Sequence, residues 1–124
     1  MGFKLTVMNI ENLYGIYELE SLETHKAGIL SDEKATSGMF IFTRDHKLSV
    51  VSGSTEWVMA YTGTFEIKEN QLVIHTAACV LREREGTVMQ RTILKLDGKY
   101  LVLAAENTAK QEKSVLSWRK SIEL

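Results

Sequence analysis

MAYTGTFEI, residues 59–67, decides the fold, because its side chains fall alternately on the two faces of an extended chain. Tyr61, Gly63, Phe65 and Ile67 share one face, and Ala60, Thr62, Thr64 and Glu66 share the other. A period of two with one apolar and one polar face predicts a half-buried β-strand. Working outward, KENQ (68–71) turns the chain into a second apolar run, 72–80. On the other side, GMFIFT (38–43) and KLSVVS (47–52) flank the short polar connection Arg44-Asp45-His46, which predicts a hairpin.

The same length scale continues to both ends. REREG (82–86) is a charged connection into a strand over 87–96, and Asp97-Gly98, a strong hairpin signal between apolar runs, leads into 100–105. A polar loop, 106–113, precedes a last strand over 114–122. Near the start, YGIYELESLE (14–23) sets Ile16, Glu18 and Glu20 against Gly15, Tyr17 and Leu19. Residues 25–36 mix Gly, Ser, Asp and Lys without a period, which predicts a long first loop over one mouth of the fold. GSTEWV (53–58) offers either one short helical turn capped with the help of Glu56 or an extended loop. Eight strands joined by hairpins can close on themselves, which removes both sheet edges and leaves an interior for side chains or one small ligand. The expected fold is all-β: an eight-stranded, up-and-down antiparallel barrel with a short N-terminal helical turn.

A length of 124 residues with no proline and no Gly/Ser linker supplies one core, so residues 1–124 are expected to form a single domain. Fifteen Lys and Arg balance sixteen Asp and Glu, and a net charge of −1 gives no field that favours nucleic acid or anionic lipid. The lone Cys79 cannot close an intramolecular disulfide, and neither a sequon nor a signal-peptide pattern is present. Nothing approaches 18 consecutive apolar residues. These features predict a cytoplasmic protein without a membrane span. The start Met1-Gly2-Phe3-Lys4-Leu5-Thr6 fits a short myristoylation pattern, which by itself carries little weight.

Parity places Tyr17, Leu19, Tyr61, Gly63, Phe65, Ile67, Leu94, Leu96, Leu101 and Leu103 inward. Gly63, inside a strand, is read as a point of barrel curvature. His75 and Cys79 lie four residues apart, about 13 Å along a strand, so they cannot share a metal ion. No cofactor or metal is expected. Phosphate loops, nucleotide-binding glycine turns, nucleophile elbows and zinc-protease helices are all absent from the sequence.

Three stretches carry a resemblance: LYGIYEL (13–19), GMFIFTRDHKLSVV (38–51) and YTGTFEIKENQLVIHTA (61–77), with LDGKYLVL (96–103) and LSW (116–118) in support. In order and spacing they resemble the bacterial lipocalin-like domain family, small relatives of the lipocalins within the calycin group. Tyr17 stands where that family usually has Trp, and His46 stands where its turn has Gly. The resemblance implies a barrel with a cavity rather than a particular reaction. It also implies an Arg in the strand before the Asp-Gly turn. That position falls at Thr92, so the neighbouring Arg91 points outward unless a bulge shifts the register. It further implies a late basic residue across the first-strand aromatic, a place that Arg119 over Tyr17 can take, although Trp118 has the opposite parity and only one of the two points inward.

Three functions are compatible with such a barrel. The leading one is binding of a small hydrophobic or aromatic molecule, with Tyr17, Phe42, Trp57, Tyr61, Phe65, His75 and Trp118 as the ligand-contacting candidates. An enzyme in the same cavity, a cyclase or isomerase of an apolar metabolite, requires His75 and Tyr61 to converge as acid and base. A filled barrel serves instead as an oligomerisation scaffold, for example in a homodimer.

Overall fold

A computed structural model describes residues 9–31, 36–55 and 57–124. The myristoylation pattern at Gly2 and the capping role of Glu56 lie outside the described residues. The strands are β1 (Gly15–Lys26), β2 (Ile29–Ser31), β3 (Ser37–Phe42), β4 (Lys47–Gly53), β5 (Val58–Lys68), β6 (Gln71–Cys79), β7 (Val88–Leu96), β8 (Tyr100–Asn107) and β9 (Glu112–Glu123). All neighbours are antiparallel. β1 also pairs with β9 along its length, which closes the sheet into an eight-stranded up-and-down barrel with β2 attached to the far end of β1. Helical structure among the described residues is limited to single 3-10 turns, of which Ile10–Asn12 is the expected N-terminal one.

One connection differs from the sequence reading, and another settles its two alternatives. The expected first loop begins too early, because His25 and Lys26 continue β1 opposite Lys113 and Glu112. Ala27 and Gly28, both at positive φ (53° and 81°), then make a two-residue turn into β2. Of the described residues between β4 and β5, Ser54, Thr55 and Trp57 take the loop alternative, in which the Ser54 N–H donates to the Trp57 carbonyl at 2.9 Å.

Turn chemistry explains the other hairpins. Asp97 Oδ1 accepts from the backbone N–H of Lys99 (3.0 Å) and Tyr100 (2.8 Å), while Gly98 supplies φ 87°. In the β3–β4 turn His46 takes φ 64°, the left-handed conformation for which Gly is suited. A side chain there costs about 1–2 kcal/mol. The His46 ring offsets this by stacking on Phe65 (5.3 Å) and Tyr14 (6.2 Å), with Nε2 3.2 Å from the Tyr14 hydroxyl.

The core is concentrated at the end of the barrel that carries Gly15 and Phe42, which pair directly. Phe42 is fully buried, stacked on Phe40 at 4.2 Å and edge-on to Tyr17 and Phe65. The buried Leu13 follows the Ile10–Asn12 turn, and Tyr17 ties this segment down by donating its hydroxyl to the carbonyls of Leu13 (2.9 Å) and Asn12 (3.0 Å). The cation over Tyr17 is Lys120, not Arg119: its Nζ lies 5.5 Å from the ring centroid and donates to the Asn12 carbonyl at 2.9 Å. Arg119 has the opposite parity and pairs with Glu20 outside.

Burial, followed by the carboxylates of Glu123 and Asp97, raises the Tyr17 hydroxyl well above its ordinary value of 10.0. The fold therefore prefers the neutral phenol. That stability is complete below the unfolded value of about pH 10 and is lost as pH rises toward the folded one. Tyr17→Phe is expected to cost about 1–3 kcal/mol at neutral pH and to reduce the alkaline loss, both read from urea midpoints. An unchanged midpoint at neutral pH would show that these hydrogen bonds do not hold the closed end together.

Candidate functional site

The opposite half of the barrel is hollow. A cavity of about 550 Å³ opens between the ends of β1, β4, β8 and β9 that lie away from the aromatic core. Phe40 and Trp118 line its inner end, in edge contact with each other at 5.2 Å. Val50, Met59, Leu103 and Leu116 line its walls. Ser52, Ala105 and Ser114 leave space where the other end of the barrel has Phe and Tyr.

Of the candidates from sequence, Trp57, Tyr61 and Trp118 line this cavity. Tyr17, Phe42 and Phe65 do not: they belong to the packed end, where their ring contacts fill the interior. His75 stands on the outer face, about half exposed, with Nε2 3.2 Å from Glu66 Oε2. Its neighbours Ile74 and Thr76 take the inward positions, so alternation directs His75 away. The acid–base pair of His75 and Tyr61 is therefore not brought together in one cavity.

Arg91 enters the cavity through the kind of bulge that its inward orientation required. The register of β7 against β8 shifts between Ile93 and Lys95, leaving Leu94 as an extra residue that points out and is 51% exposed. Parity on the two sides of this bulge is opposite, so Met89, Arg91 and Ile93 face inward ahead of it. Arg91 is the one charged side chain among the described residues that line the cavity. The local sign was the pair of adjacent apolar residues, Ile93 and Leu94, which simple alternation does not produce.

The polar groups around Arg91 are sparsely paired. Arg91 Nη2 and Arg84 Nη1 each lie 3.8 Å from Met89 Sδ, and Arg91 Nη1 donates to the Gln90 carbonyl at 2.9 Å. Arg84, expected in a solvated turn, is half-buried in the 3-10 turn Arg82–Arg84. Burial raises the pKa of the Tyr61 hydroxyl, and the nearby Arg91 and Arg84 guanidiniums pull against that rise. Trp118 Nε1 is buried with no hydrogen-bond partner among the described residues. Those residues hold no cluster of metal-ligating side chains, and no helix among them is long and apolar enough to cross a membrane.

Comparison with family models and with curated proteins gives no match. Solved structures do match. A lipocalin-like protein from Bacteroides uniformis superposes with a TM-score of 0.56 at 18% identity, over 89% of this chain and 99% of that one. An uncharacterised protein from Bacteroides eggerthii gives 0.56 at 14% identity, over 87% and 98%. A de novo designed fluorescence-activating β-barrel gives 0.56 at 10% identity, over 92% and 100%. The chain has the lipocalin-like fold, a closed eight-stranded antiparallel barrel.

Proposed function

We propose that this protein binds a small apolar or aromatic molecule in the open half of its barrel. The observation that carries the reading is the cavity itself. Its volume of about 550 Å³ lies within the range that encloses a drug-sized ligand, and its lining is mainly aliphatic and aromatic. Exposing such a lining to water is unfavourable, and an apolar occupant removes that surface from solvent. Support also comes from the fold, since the designed barrel of the same shape is a fluorescence-activating protein.

Trp57 and Trp118 both line the cavity and report on its contents. Titration with N-phenyl-1-naphthylamine, a neutral apolar fluorophore, is expected to quench tryptophan emission saturably at one molecule per chain while the probe brightens. Ala105→Phe, which fills the cavity from β8, is expected to weaken this binding at least about tenfold, the scale of one lost apolar contact set. No saturable signal in the unsubstituted protein would sink the reading.

A further inference from the structure

The donors around the cavity point to the chemistry of its occupant, an inference that rests on the ligand-binding reading above. Among the described residues that line the cavity, Arg91 is the one charged side chain. A guanidinium carries five N–H donors. The described contacts of Arg91 engage one with a carbonyl and another with a thioether, which is a weak acceptor. Arg84 approaches the same Met89 sulfur, so two cations converge on one atom. Neither guanidinium pairs with a carboxylate among the described residues, although Glu83 and Glu85 flank Arg84 in sequence.

Two further donors share the surroundings. The Tyr61 hydroxyl makes no hydrogen bond among the described residues and lies close enough to Arg91 and Arg84 to feel both charges. Trp118, 1% exposed, keeps its indole N–H unpaired at the inner end. Converging like charges and an orphaned buried donor are each unfavourable. An oxyanion reverses the first cost: it accepts from the guanidiniums in their planar fork and neutralises their repulsion. Among the described residues the rest of the lining is aliphatic or aromatic apart from hydroxyl groups and the Trp118 indole N–H, so the body of such a molecule is mainly apolar.

We propose that the occupant is an amphipathic organic anion, an apolar chain or ring bearing one oxyanion headgroup that sits against Arg91, Arg84 and Tyr61. A neutral hydrocarbon fills the cavity but leaves these donors unanswered. The headgroup chemistry is shared by a carboxylate and a phosphate monoester.

Calorimetric titration of three ligands with one tail tests this: 6-phenylhexanoate, 6-phenylhexyl phosphate and the neutral 6-phenylhexanamide. At least one anion is expected to bind about tenfold or more tightly than the amide, the scale of a charge-assisted hydrogen bond. The better of the two anions identifies the headgroup. Arg91→Gln is expected to bring that ratio close to one, and Arg84→Gln to lower it, while binding of the amide changes little. The comparison within the unsubstituted protein does not depend on either variant folding. Equal affinity for anion and amide would overturn the anion assignment and leave the apolar cavity reading standing. No binding of any of the three, with N-phenyl-1-naphthylamine still bound, would also overturn it, whereas loss of that probe as well would remove both readings.

Discussion

Gly63→Val is expected to lower the stability of the barrel by at least about 3 kcal/mol, at the upper end of the cost of overpacking a tight site. A Cβ at this position lies 2.1 Å from the His75 carbonyl oxygen and 3.0 Å from its carbon, and both atoms are backbone. No rotamer change relieves a clash with a neighbouring strand. The approach is this close because the β5–β6 register shifts between Thr62 and Gly63: Thr62 pairs with Ala78, and Gly63 pairs with Thr76. Ala77 is the extra residue, and the bend it introduces lets the inward positions of β6 change from Ile74 and Thr76 to Cys79. Thr62→Val, next door on the exposed face, is the matched control and is expected to stay within about 0.5 kcal/mol. Urea unfolding of both variants decides the matter. A loss below about 1 kcal/mol for Gly63→Val would mean that β5 and β6 separate here without penalty.

The sequence was most legible where local chemistry alone sets the structure. Alternation located the eight barrel strands, and Asp97-Gly98 and the Arg44–His46 connection marked their turns correctly. It was least legible at the bulges. Closing a barrel requires strands to bend, and β1, β6 and β7 each carry an irregularity where inward parity changes. Leu22 and Thr24 reach the cavity from a strand whose inward residues begin at Tyr17 and Leu19, because the β1–β9 register shifts between Leu19 and Ser21. The bulge in β7 likewise turns Arg91 inward and Leu94, which alternation placed inside, outward. Such shifts are fixed by the strand on the other side, and a single strand read alone does not contain them.

Whether the interior is filled or hollow depends on the same information. Phe40, Phe42, Tyr17 and Phe65 come from three strands, and they become one cluster only when Tyr17 pairs with Phe40 and Gly15 with Phe42. Small residues collect at the other end by the equivalent pairings: Ser52 lies opposite Gly38, and Ala105 lies opposite Ser114. The aromatic candidates for a ligand site thus divided into two groups. One group packs the closed end, and the other, Trp57, Tyr61 and Trp118, borders the space.

Phe40 stands on the boundary between the two, so Phe40→Ala is expected to have a large effect on both. Its ring is 2% exposed, stacked on Phe42 at 4.2 Å with a 19° interplanar angle and edge-on to Trp118 at 5.2 Å. Removing a buried phenyl ring costs about 3–5 kcal/mol, composed of lost transfer energy and a vacancy that the surroundings close only in part. Here the vacancy adjoins a cavity that already exists, so it extends that cavity toward Phe42 rather than forming an isolated void. The substitution should therefore lower the unfolding free energy by about that amount while shifting preference toward ligands with longer apolar tails. Met39→Ala, on the neighbouring outward position that is 49% exposed, provides the comparison and is expected to cost under about 1 kcal/mol. Urea unfolding measures the first effect, and calorimetry with phenylalkanoates of increasing chain length measures the second. If Phe40→Ala lost stability as expected but kept the same chain-length optimum, the packed end would have collapsed into the gap. The inner limit of the cavity would then be set by Trp118 alone.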